Sequence, residues 1–278
     1  MDRSDHNRIG GGERPPDISI MPSSSNDVSQ ATTSVVRFVL SLGTVEKRGE
    51  RISLSLFRKL KCEYHAGMII LLETQISGDR AKEVRDKLGF DGSFTVEALG
   101  RSGGIWILWN SGIWRVDVVR HSRQVVHLGV FSSNSEQWFL SAVYGSPREL
   151  YNDLIDFASD ISSPWCAIRD FNALLHDYER RGSMARNNTG ACADFQACAS
   201  DCGLVDLGFV GWSFTWRRGN LVERLDRTLS NMDWHIRFPE TCVRHLLMLK
   251  SDHSPICLHL SSNSPINRWR CPFRFVVA

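Results

Sequence analysis

Apolar positions recur along this chain with two different periods, and each change of period marks an element. Met68-Ile-Ile-Leu-Leu72 is an unbroken apolar run closed by Glu73, the pattern of a strand covered on both faces. Residues 104–109, 114–119, 125–131 and 137–144 read as further strands, the last stopped by Gly145-Ser-Pro147. Helical spacing appears in 51–61, where Ile52, Leu54, Leu56, Phe57 and Leu60 share a face, and again in 77–88, closed by Gly89. Residues 148–161 and 191–202 are also expected to be helical, the latter ended by Gly203. A short strand at 165–168 delivers Asp170. Residues 214–216 and 224–229 read as a hairpin around Arg218-Gly219-Asn220, and 243–249 and 255–260 supply the last strands. Short mixed strands interleaved with helices predict an α/β protein in which two packed mixed β-sheets are flanked by helices.

Composition changes once. Residues 1–34 are rich in Ser, Asn, Asp, Gly and Pro, including Gly10-Gly11-Gly12 and Ser23-Ser24-Ser25, and are expected to be disordered. A domain is expected over 35–262, with 263–278 as a tail truncated at its end. An apolar share of 42% and nine tryptophans suffice for a substantial core. The net charge of +2 is too small to mark a general polyanion binder, so any nucleic-acid role must rest on local clusters. The eight cysteines include no CxxC pair, and Cys198 and Cys202 have no matching second pair, which favours reduced core thiols over a zinc site. Without an N-terminal apolar run or a long apolar stretch, the expectation is a soluble, intracellular protein with no membrane contact; the nucleus is compatible with it.

Chemistry-bearing residues fall at predicted strand ends. These are Glu73, Tyr144, Asp170 with Asn172, Asp226, and Asp252 with His253. Each alone is ordinary, since a carboxylate after a strand usually caps a turn. Together they suggest hydrolysis of a phosphoester: a carboxylate beside an imidazole tunes a base. Asp170 and Asn172, two apart on an extended segment, would face the same way.

The order of these residues resembles the endonuclease/exonuclease/phosphatase superfamily. The matching blocks are Leu71-Leu-Glu-Thr74, Gly100-Arg-Ser-Gly-Gly104, Val143-Tyr-Gly-Ser-Pro147, Asp170-Phe-Asn172, Glu223-Arg-Leu-Asp-Arg227 and Ser251-Asp-His-Ser-Pro255. Glu179-Arg-Arg-Gly182, Leu204-Val-Asp-Leu-Gly208 with Phe214-Thr-Trp216, and Pro272-Phe-Arg-Phe275 look like the endonuclease domain of plant LINE-type non-LTR retrotransposons. The resemblance implies a four-layer, DNase I-like α/β sandwich and a Mg²⁺- or Mn²⁺-dependent endonuclease acting as a monomer on duplex DNA. It implies Glu73, Asp170 and Asp252 as metal-side carboxylates and Tyr144 as a phosphate ligand. Asp170 and Asn172 would position water, and His253 would serve as base or phosphate ligand with its tautomer fixed by Asp226. Arg101, Arg180, Arg181, Trp216, Arg217, Arg218 and Arg224 are the expected DNA contacts.

Two positions depart from the family pattern. The first strand carries no asparagine where the family has a metal-side amide; Leu40 or Ser41 stands there. Arg169 replaces the glycine that precedes Asp-Phe-Asn, adding bulk and positive charge beside Asp170. Impaired activity is therefore expected. Two alternatives stay open: an inactive retroelement relic that at most binds nucleic acid, and a hydrolase of small soluble phosphoesters.

Overall fold

The computed structural model describes residues 37–42, 46–47, 50–51, 54–99, 103–131, 136–145, 147–182, 189–248 and 251–260, all within a unit spanning Ser34–Ala278. The expected disordered segment 1–34, the tail 263–278, Arg101, and the side chains of Leu40, Ser41 and Arg169 lie outside the described residues.

The chain opens with β1 (Arg37–Leu42), the paired two-residue strands β2 (Glu46–Lys47) and β3 (Glu50–Arg51), α1 (Leu54–Tyr64), β4 (Met68–Leu72) and α2 (Gly78–Leu88). Then come β5 (Gly92–Val96), β6 (Ile105–Trp109), β7 (Arg115–His121), β8 (Val125–Phe131), β9 (Gln137–Tyr144), α3 (Pro147–Asp160) and β10 (Trp165–Asp170). A 3₁₀ turn (Asp177–Glu179) leads into β11 (Arg180–Arg181), α4 (Thr189–Asp201), β12 (Val205–Asp206), β13 (Trp216–Arg218) and β14 (Leu221–Glu223). The fold closes with β15 (Asp226–Ser230), α5 (Met232–Arg237), β16 (Cys242–His245) and β17 (Ile256–His259).

Two six-stranded sheets result, in the orders β16-β17-β1-β4-β6-β5 and β12-β15-β10-β9-β8-β7. Each is mixed, with β1–β4 and β9–β10 parallel among antiparallel neighbours. The period of two sorts their side chains. Met68, Ile70, Leu72 and Ile107 meet Val126, Leu128, Leu140 and Ile168 in a core shared by the sheets. Ile69, Leu71, Trp106 and Leu108 point the other way and pack on Phe57 and Leu60 of α1 and Ala81 and Leu88 of α2. Behind the second sheet, Val125, Val143, Ala167 and Leu229 pack on Leu150, Leu154 and Phe157 of α3 and Phe195 and Cys198 of α4. Both faces of each sheet are covered, which is why the central strands are apolar at nearly every position. The architecture is the expected helix–sheet–sheet–helix sandwich.

One expected element is wrong. The hairpin partner of β13 is β14, not 224–229, because the loop between them is only Gly219-Asn220. Gly219 takes φ +60°, the left-handed geometry that a two-residue II′-type hairpin loop needs at its first position. That tight turn ends the small sheet at Glu223. Residues 226–230 become β15, paired with β10 in the main sheet.

Candidate active site

Three neighbouring strands line up three of the expected residues. In the ladder β9–β10–β15, Tyr144 pairs with Asp170 and Asp170 pairs with Asp226, so all three stand in one row at one end of the second sheet. Adjacent strands lie about 4.8 Å apart, which brings these side chains into mutual reach. The first sheet contributes from the facing edge: Glu73 follows β4 directly, and Asp252 and His253 precede β17. Because β1 runs parallel to β4 and antiparallel to β17, those two loops emerge at the same end.

His253 is the centre of the arrangement. Its Nδ1 lies 2.8 Å from Asp226 Oδ2, and its Nε2 lies 3.9 Å from Asp170 Oδ2. The Asp226 side chain is fully buried and Asp170 nearly so, while 11% of the imidazole is exposed. An ionised carboxylate only accepts, so Asp226 makes Nδ1 the donor and leaves Nε2 facing Asp170. The imidazole therefore takes its carboxylate contacts from Asp226 and Asp170. Asp252, its sequence neighbour, is half-buried, and its backbone carbonyl accepts a bond from Arg217 N (2.9 Å).

Tyr144 bridges the sheets by donating to Glu73 Oε1 at 2.7 Å. Burial first, and then the Glu73 bond and charge, raise the phenol's pKa, so the hydroxyl stays a proton donor. Glu73 itself sits at φ +49°, a left-handed conformation costly for a residue with a Cβ.

Asn172 corrects an expectation. It is not two along an extended segment from Asp170, because the chain turns directly after β10 and Asn172 adopts φ +49°. Its backbone N–H donates to Asp170 Oδ1 at 2.9 Å, an Asx turn, and its amide Nδ2 lies 3.2 Å from Oδ2. Asp170 and Asn172 are thus one hydrogen-bonded unit, with the Asn172 amide exposed at its rim.

The expected DNA-facing residues divide. Arg181, Arg217 and Arg218 are exposed and Trp216 half-buried, around the β13–β14 hairpin. That hairpin is fastened to the 251–255 loop: Trp216 forms a β-bridge with His253, Arg217 N donates to Asp252 O, and Ser254 N donates to Thr215 O at 2.6 Å. Arg180 is half-buried and paired with Glu223. Arg224 is buried, and its guanidinium bonds Glu179 and Asp206 inside the molecule rather than facing outward.

Thr215 was not singled out as a site residue from sequence. It is fully buried, and its hydroxyl accepts from Leu225 N (3.0 Å) and Asp226 N (2.9 Å). The signal was present as a lone polar residue between Phe214 and Trp216, the inward position of an alternating segment.

Among the described residues, one acidic–imidazole group could close on a cation: Asp170, Asp226 and His253, whose candidate ligand atoms lie within 4.8 Å of one another. Glu73 and Asp252 are not part of that group. The donor set still fits a hard divalent ion. Two buried carboxylates stand opposite each other with one imidazole between them, so the pocket carries an excess of negative charge on oxygen ligands.

No protein-family model matches this sequence, and no curated protein does. Solved structures do. The endonuclease domain of TRAS1, a telomere-specific non-LTR retrotransposon, is 15% identical with a TM-score of 0.56, over 80% of this chain and 96% of that one. The 3′ phosphatase NExo from Neisseria, bound to a product DNA hairpin, is 16% identical with a TM-score of 0.58, over 81% and 99%. The catalytic domain of Xenopus laevis APE2 is 13% identical with a TM-score of 0.55, over 82% and 94%. At these identities the likeness establishes a shared fold.

Proposed function

Starting from the fold shared with endonuclease/exonuclease/phosphatase structures, we propose that this chain is a divalent-metal-dependent phosphodiester hydrolase that nicks DNA. The observation that carries the reading is the chain Asp226–His253–Asp170, with the Glu73–Tyr144 pair beside it across the sheets. An acid-oriented imidazole, a second carboxylate and a phenol donor are what attack on an anionic phosphodiester requires.

Each residue has a task. Asp226 holds the His253 ring and its tautomer. His253 Nε2 and Asp170 Oδ2, 3.9 Å apart, are too far for a direct hydrogen bond but can both accept from one bridging water. Asp170 accepts the proton of the attacking water, and Asn172 donates to a phosphate oxygen while holding the carboxylate. Tyr144 would turn its single hydroxyl proton from Glu73 to a phosphate oxygen when substrate enters. Asp170, the member shared with the Asp170–Asp226–His253 group, would hold Mg²⁺ or Mn²⁺, with Glu73 and Asp252, which lie outside that group, proposed as the further oxygen ligands. Such an ion neutralises charge on the nonbridging and leaving oxygens when bound. The exposed Arg181, Arg217 and Arg218 beside Trp216 suit the backbone of duplex DNA.

This copy is proposed to be slow. Ser41 pairs in register with Ile70 and Ile256, at the site end of β1, so the missing asparagine falls beside Glu73's strand. Arg169 immediately precedes Asp170. Each departure is expected to lower the rate by roughly 10²–10³, as lost transition-state donors do.

The test is nicking of supercoiled plasmid by the full chain with Mg²⁺, beside the Ser41→Asn, Arg169→Gly double variant. Weak nicking that EDTA and His253→Ala abolish, and that the double variant strengthens, is the expected result. Intact plasmid in every arm would sink the hydrolase reading, and a persistent gel shift would then favour a DNA-binding relic.

A further inference from the structure

Three buried charged side chains and one half-buried, Asp206, cluster on the side of β15 opposite the catalytic residues. Successive residues of a strand face opposite ways, so Asp226 points to His253 while Arg227 points behind the sheet. There Arg227, fully buried, donates to Glu179 through Nη1 (2.9 Å) and Nη2 (2.8 Å) and to Asp206 through Nη1 (3.2 Å). Arg224 donates to Glu179 Oε1 (3.0 Å) and Asp206 Oδ1 (2.8 Å). The cluster holds two carboxylates and two guanidiniums and is neutral as a whole.

Apart from Gly208 N, which donates to Asp206 Oδ1 at 2.7 Å, its remaining side-chain bonds go to the backbone that carries the active site. Glu179 Oε2 accepts from Leu175 N (2.6 Å) and His176 N (3.1 Å), and Arg227 Nη2 donates to Ala173 O (3.3 Å). Those residues directly follow the Asp170–Asn172 turn. Arg227 Nη2 also donates to Arg224 O (2.7 Å), the backbone that enters β15 two residues before Asp226. One charged cluster thereby joins the segment leaving Asp170 to the segment bearing Asp226.

Stability does not account for it. Buried ion networks lose in desolvation about what they gain in attraction, and apolar replacements of similar shape are commonly as stable. What an apolar cluster could not supply is directional bonding to particular carbonyls and amides.

We infer that Glu179 and Arg227 are positioning residues of the active site, setting the spacing between Asp170 and Asp226 and hence the seat of His253. The inference rests on the hydrolase reading for its kinetic consequence but not for its structural one. Misplacement of reacting groups by about 1 Å costs roughly 10²-fold in rate. Binding of DNA, which uses the exposed arginines, is untouched.

The test uses the full chain with Glu179→Gln and Arg227→Met together, which keeps the cluster neutral through Arg224 and Asp206. Three readouts are taken: thermal melting, the downfield proton resonance of the His253–Asp226 hydrogen bond, and nicking kinetics with Mg²⁺. A folded variant whose downfield resonance has moved or vanished is expected. Its kcat should fall about 10²-fold with KM within about threefold. Arg227→Lys, which keeps the charge without the forked geometry, should fall between. A folded double variant with the parental resonance and kcat would overturn the inference. So would a double variant that fails to fold, which would make the cluster a stability element. If the parent chain nicks no DNA, the hydrolase reading fails by itself, and the resonance alone then decides the positioning role.

Discussion

Glu73 shows at the scale of one residue how a site departs from what its backbone prefers. A non-glycine residue at φ +49° carries strain of order 1 kcal/mol, held in place here by the Tyr144 hydroxyl on its carboxylate. Glu73→Asn accepts the left-handed backbone more readily but is too short to keep the Tyr144 bond. The two effects are each about 1 kcal/mol and oppose each other. The variant is expected to melt within a few degrees of the parent while losing its response to Mg²⁺ in the nicking assay. A large fall in melting temperature would show that the strain is not what the side chain offsets. The polar residues that the structure gathers at one end of the sandwich were legible in sequence because each sits at or near a strand end within a recognisable block. Of their pairings, His253 with Asp226 is implied by the family resemblance and is found at 2.8 Å, although the two lie twenty-seven positions apart along the chain. The Tyr144 bond to Glu73 is not implied, because it joins the two sheets and no local pattern encodes which strand ends will face each other.

Elements were read well wherever their apolar period was long. The run at Met68–Leu72 and the strands Val125–Phe131 and Gln137–Tyr144 have the bounds their patterns imply. Short polar elements escaped, among them β5, β12 and α5, since two to six residues cannot establish a period. The hairpin was misread for a related reason. Its second strand is three residues long, and the longer strand after it belongs to the main sheet. The hairpin tip also decides which arginines are free to make the proposed DNA contacts. Arg217 and Arg218 are exposed there, whereas Arg224 is spent on internal pairing. Arg217→Ala with Arg218→Ala should weaken DNA binding at all sequences and reduce the slope of log K against log salt by about 2, one per phosphate contact. Titrating salt in a fluorescence-anisotropy assay checks this, and an unchanged slope would remove the hairpin from the DNA interface.

Across the whole molecule, two buried imidazoles tie stability to pH. His127 lies under α3, with Nδ1 2.7 Å from Ser141 Oγ and its ring stacked on Phe157; burial first, then Arg120, lowers its pKa from 6.5 to about 3. His245 stacks on Phe209 with Nδ1 2.7 Å from the Trp212 carbonyl, and burial lowers it from 6.5 to about 4. Both folded values lie below the unfolded one, so the unfolded chain binds more protons as the pH falls below 6.5. Their contribution is complete above that pH. It declines on acidification by up to about 1.4 kcal/mol per pH unit for each imidazole, levelling off near pH 4 for His245 and pH 3 for His127. Urea midpoints should therefore fall between pH 7 and pH 5, and less so in His127→Gln. A flat profile over that range would contradict the burial of both rings. Sequence showed the sandwich architecture because both faces of each sheet demand apolar residues. The charged cluster behind β15 stayed hidden, since burial of Glu179 and Arg227 depends on segments far apart in the chain.

The backbone bonds between the β13–β14 hairpin and the 251–255 loop make these two segments one mechanical body. Arg217 N–H and Ser254 N–H belong to the same stitching. Hydrogen exchange at these amides should speed up or slow down in concert. A pull on the hairpin tip, such as the proposed DNA substrate would exert, is then transmitted through the Trp216 backbone to the backbone of His253. In the proposed function, grip and chemistry share one lever.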